Sequence, residues 1–197
     1  MTPKRYHLIF IILVLAFASG AAAGNYLEKK QDKREIRQDK MELVATSAAL
    51  ARLSGTIDRW VEANLTGHNK KAHRYEESIL EQIQADIASS RRQLERYEAE
   101  VRSSAKEYNL LHQSRAARHD DRVDLRDDVK DLHLTGRLLK EKERLASALH
   151  KVATFSNKYR LLGDYMEVMR RELGMAKVEL VEDANELRED RVEGRRE

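Results

Sequence analysis

The sequence predicts an all-α protein: an elongated antiparallel bundle or coiled coil of three to four long helices behind an N-terminal membrane-directing segment. Three observations carry that expectation. Ala, Leu, Glu, Lys and Arg fill a little over half of the 197 positions, the composition of long helices and coiled coils. One proline and eight glycines leave too few turn formers for a sheet protein of this length. Apolar residues recur in alternating steps of three and four, the mark of a helical seam.

The first element is residues 1–24. Lys4 and Arg5 precede an unbroken apolar run from Leu8 to Phe17, and small residues follow from Ala18 to Gly24. Two readings fit. A cleaved signal peptide has a basic start, an apolar centre and an Ala-x-Ala site, here ending at Ala23. A retained signal anchor needs an uncharged stretch of about 17 residues or more, which Leu8–Gly24 supplies at the short limit. Ala16, Gly20 and Gly24 stand four apart, a spacing that lets two membrane helices pack closely. The anchor reading is preferred because the small-residue stretch runs straight into a helical pattern. It makes the chain a single-pass membrane protein with its C-terminal part exported. Lys29 to Lys40 would favour the opposite orientation by loop charge alone, whereas a short basic start before an apolar run stays inside.

Residues 25–66 form the first expected helix. Ile36, Leu43, Leu50 and Ile57 recur every seven residues; Leu53 and Trp60 sit three further on, and Thr46 fills the remaining slot. Its juxtamembrane part, 25–40, places like charges four apart, as in Lys29/Lys33/Arg37, which costs a few tenths of a kcal/mol per pair. Thr66-Gly67-His68-Asn69 reads as a turn. The second helix, 67–118, carries a seam through Leu80, Ile83, Ile87, Ser90, Leu94, Tyr97, Val101, Ser104, Tyr108 and Leu111. The third helical region, 119–190, opens with Leu125, Val129 and Leu132 and continues with Leu145, Leu149 and Val152. Thr154–Asn157 is a candidate break, after which Leu162, Met166, Met169, Leu173, Ala176 and Leu180 form a further seam. Residues 191–197, all charged but for Val192 and Gly194, read as a frayed tail.

Charge and motifs exclude several functions. The net charge of +3 divides into +2 for residues 1–24, +1 for 25–66, +2 for 67–118 and −2 for 119–197. No basic stripe or nucleic-acid motif accompanies it, so nucleic acid is not an expected partner. The absence of cysteine removes disulfides and thiolate chemistry. There is no P-loop, GxGxxG, GxSxG or HExxH, and neither an enzyme nor a cofactor is expected. Asn64-Leu65-Thr66 matches a glycosylation sequon. Asp120, Asp124 and Asp128, on one helical face, are the one candidate cation cluster, though acids at a helix start are favoured by capping alone.

The functional expectation is a non-enzymatic, membrane-anchored coiled-coil tether, spacer or assembly subunit. It would act through helix–helix contacts, its partners being the membrane and other helical proteins, as a homo-oligomer or as part of a membrane-associated assembly. The alternative is a soluble periplasmic helical binding module, chaperone-like or ligand-sensing, released by signal cleavage.

Overall fold

The structure is a computed structural model describing the backbone of residues 4–108 and 115–193. Its side-chain description covers 33–106 and 122–181 apart from Glu35 and Asp124, with Ala184, Asn185 and Arg188 beyond. Four helices account for nearly all of it: α1 (Lys4–Leu65), α2 (Asn69–Tyr108), α3 (Arg115–Leu149) and α4 (Phe155–Glu193). No strand occurs among the described residues. Nor is any helix among them long and apolar enough to cross a membrane. The side chains of the apolar run Leu8–Gly24, with Ala16, Gly20 and Gly24, lie outside the described residues, as does that of Tyr108.

The helix ends follow local chemistry. At the end of α1, Gly67 adopts φ 70°, a left-handed conformation that glycine enters without a Cβ penalty. Its N–H donates to the Asn64 carbonyl and the His68 N–H to the Ala63 carbonyl, the paired bonds of a Schellman stop. The His68 carbonyl then accepts from Lys71 and Ala72 and starts α2. The second break falls at residues 150–154, so that α3 and α4 are separate helices. The Thr154 carbonyl accepts from the Lys158 N–H, the first bond of α4, with a residue type favoured at helix starts.

Two units are distinguishable, Ala45–Gly174 and a second made of Met1–Val44 with Met175–Glu197. Within Ala45–Gly174 the side-chain partners give the helix directions. Arg91 meets Glu143 and Ser104 meets Asp128, so partners descend on α3 as they ascend on α2, and these helices are antiparallel. Glu76, Asp86 and Ser90 on α2 meet Lys158, Tyr165 and Glu172 on α4; both series ascend, so α2 and α4 run parallel. The core holds Leu53, Ile57 and Trp60 from α1, Ile79, Ile83 and Ile87 from α2, Leu138, Leu145 and Leu149 from α3, and Leu162, Val168 and Met169 from α4.

The seam residues occupy differing depths. Tyr97 is buried, whereas Leu43, Leu50, Leu94, Val101, Met166, Leu173 and Leu180 are half-buried. On α4 the most enclosed line runs through Leu162, Tyr165, Val168, Met169, Glu172 and Ala176, to one side of the apolar row that includes Met166 and Leu173. In the unit of Met1–Val44 and Met175–Glu197, Ile36 and Ala176 are buried while Met41, Val44, Val178 and Val181 are exposed.

Candidate functional site: a sealed charged layer

The interior of Ala45–Gly174 is interrupted by a polar layer that apolar periodicity does not reveal. Asp86 and Ser90 are four apart on α2, and Tyr165 and Glu172 are seven apart on α4. Those spacings put each pair on one helical face. Lys142 enters from α3, between Leu138 and Leu145, in a slot where the seam calls for an apolar residue. Its side chain is 0% exposed.

Lys142 Nζ donates to Glu172 Oε2 at 2.5 Å and to Ser90 Oγ at 2.9 Å, and it forms an ion pair with Asp86 Oδ2 at 2.8 Å. Ser90 passes its own proton on to Glu172 Oε1 at 2.8 Å. Tyr165 donates to Asp86 Oδ2 at 2.7 Å. Burial, then the charge and hydrogen bond of Asp86, hold the Tyr165 hydroxyl far above the ordinary phenol range, so it remains a donor at any pH the fold meets. Counted formally, two carboxylates face one ammonium, and the two hydroxyls supply the donors that the lysine cannot. Ile83, Ile87, Leu145, Val168 and Met169, close in sequence to the layer residues on the same three helices, are buried.

This arrangement holds helices in register. A catalytic lysine or carboxylate needs a route for substrate, and these groups are spent on one another inside a packed core. The opening lined by Trp60, Glu76, Leu149 and Lys158 has room for no more than about one water molecule and includes none of the five layer residues. Two exposed pairs flank the layer: Arg91 with Glu143 at 2.6 Å joins α2 to α3, and Arg171 with Glu141 at 2.8 Å joins α4 to α3.

The candidate cation cluster is placed differently. Asp128 turns toward α2, where it pairs with Ser104 Oγ, and burial raises its pKa above the usual carboxylate value. Ser104 also lies 3.2 Å from the Glu100 carbonyl. The Ser104 hydroxyl donates to the Asp128 carboxylate, which offsets part of the effect of burial. The side chains of Asp120 and Asp124 lie outside the described residues. Among the described residues no three His, Asp or Glu side chains gather as a metal site. Within the sequon, the Asn64 amide donates to the Trp60 carbonyl at 2.7 Å.

Helices joined by a buried charged layer define an all-helical protein. Comparison with known proteins finds no matching family, no similar curated protein and no similar solved structure.

Proposed function

We propose that the protein is a non-enzymatic, membrane-anchored helical tether, spacer or assembly subunit, exported beyond its N-terminal segment and working through helix–helix contacts. The observation that carries this reading is the Lys142–Asp86–Glu172 layer. Its charged groups are consumed in fixing α2, α3 and α4 against one another, a use suited to a scaffold that must keep one register. The membrane part of the reading draws its support from the apolar run Leu8–Gly24 and the small residues Ala16, Gly20 and Gly24. The partner is another helical chain or a second copy. Exposed Met41 and Val44 on α1, and Val178 and Val181 on α4, are the apolar side chains such a partner would cover.

Alkaline extraction of native membranes tests the proposal. The tether stays with the bilayer through the extraction. Quantitative release into the supernatant favours the soluble binding module instead.

A further inference from the structure

The turns at one end of the Ala45–Gly174 bundle share an unusual composition. Residues 63–75 and 150–160 contain Lys70, Lys71, Arg74, Lys151, Lys158 and Arg160, three histidines, and not one Asp or Glu, in a chain with 34 acids. The fold brings these stretches together. Trp60, at the end of α1, stacks on Phe155 at the start of α4 with ring centroids 4.8 Å apart, and Lys158 pairs with Glu76. Arg160 pairs with Asp164. Lys70, Lys71, Arg74 and Lys151 are exposed and have no ion-pair partner among the described residues.

Large apolar groups are exposed among these cations. Leu65 is 77% exposed, Tyr159 54% and Phe155 36%. Phe155 and Tyr159 stack on each other at 6.2 Å. An aliphatic side chain and two aromatic rings, in turns that also carry unpaired lysines, match the two layers of an anionic bilayer surface. Phosphates attract the cations, at about 1 kcal/mol for each Lys or Arg near the surface, while rings and leucine settle at the headgroup boundary. A nucleic acid would call for a groove that tracks its backbone, whereas these groups cluster at the turns. Exposed Asp58 and Glu62 lie before the acid-free stretch on α1.

We propose that this end of the bundle docks on an anionic phospholipid surface. The inference uses Ala45–Gly174 alone and holds whether or not residues 1–23 are retained.

The chain has no cysteine, so His68→Cys in the full-length protein accepts a single environment-sensitive dye at the turn. Insertion of the N-terminal segment would leave that dye in water. Mixed phosphatidylcholine–phosphatidylglycerol vesicles brighten and blue-shift it, pure phosphatidylcholine vesicles do not, and added salt weakens the response by screening. Changing Lys70, Lys71 and Lys151 together to Gln weakens binding on the order of a hundredfold. Leu65→Ser with Tyr159→Ser weakens it by about tenfold or more. All these positions are exposed, and unchanged helicity and melting temperature confirm that the variants fold. Three results overturn the proposal: no response to mixed vesicles, an equal response to neutral ones, or a response to single-stranded DNA or polyglutamate with none to lipid.

Discussion

Replacing Lys142 by methionine keeps the length of the side chain and deletes its charge. The lysine is fully buried, hydrogen-bonded to Glu172 and Ser90 and ion-paired with both Asp86 and Glu172. Its removal leaves Asp86 and Glu172 facing each other with only Ser90 and Tyr165 as donors. Breaking a buried ion pair from one side costs about 3–5 kcal/mol, a large share of the roughly 5–15 kcal/mol that holds a typical protein folded. For a chain of this size the melting temperature falls by roughly 6–20 °C. The combined variant Asp86→Leu, Lys142→Met, Glu172→Leu should recover most of that loss, because no uncompensated charge remains and apolar replacements of such groups are often neutral or stabilising. The assay is thermal and urea unfolding of both variants beside the wild type, followed by circular dichroism. A loss below about 1 kcal/mol for Lys142→Met would refute the reasoning, since that is the value of an exposed pair. A triple variant no more stable than the single one would show that hydrogen bonding, and not charge balance, dominates the layer.

Other outcomes follow from the same structure. Arg91→Ala removes an exposed pair with Glu143 and should cost less than about 1 kcal/mol by urea unfolding; a loss matching Lys142→Met would mean that the flanking pairs carry the register. Gly67→Ala forces a Cβ into a φ of 70° and should destabilise by about 1 kcal/mol, although no neighbouring atom lies within 4 Å to clash with it; an unchanged melting temperature would contradict the left-handed stop. Asp128 has a folded pKa raised above 3.8, so the folded state binds its proton more tightly than the unfolded state. Its contribution is therefore most favourable below 3.8 and is lost as pH rises through the raised folded value. Asp128→Asn should flatten that slope and melt no lower than the wild type near neutral pH, a result that a melting series across pH checks directly.

Apolar periodicity marks some of the buried apolar side chains and misses others, such as Ile79, Leu138 and Val168. Leu53, Ile57 and Trp60 stand in a seven-residue pattern and are buried. The layer escaped because its members are polar. Lys142, Asp86 and Glu172 read as solvated surface when each is taken alone. The available signal was positional: Leu138, Lys142, Leu145 and Leu149 keep the steps of four and three that define a seam, and Ser90 leaves a matching polar slot on α2. Opposite charges at seam positions of different helices are the pattern to seek. The displaced line on α4 has a related cause. A two-stranded coiled coil encloses a narrow stripe, whereas a helix packed against several neighbours buries a wider one. Tyr165, Val168 and Glu172 thereby join the interior beside Met169. At the N-terminus, the sequence of residues 1–24 fits cleavage and retention alike, because both readings use the same small residues.

The proposed tether is held in a membrane by its own N-terminus, and intact-mass measurement of the protein recovered from its native membrane tests this. The expected species still carries Ala16, Gly20 and the residues up to Ala23. A mature chain beginning near Gly24 would contradict it.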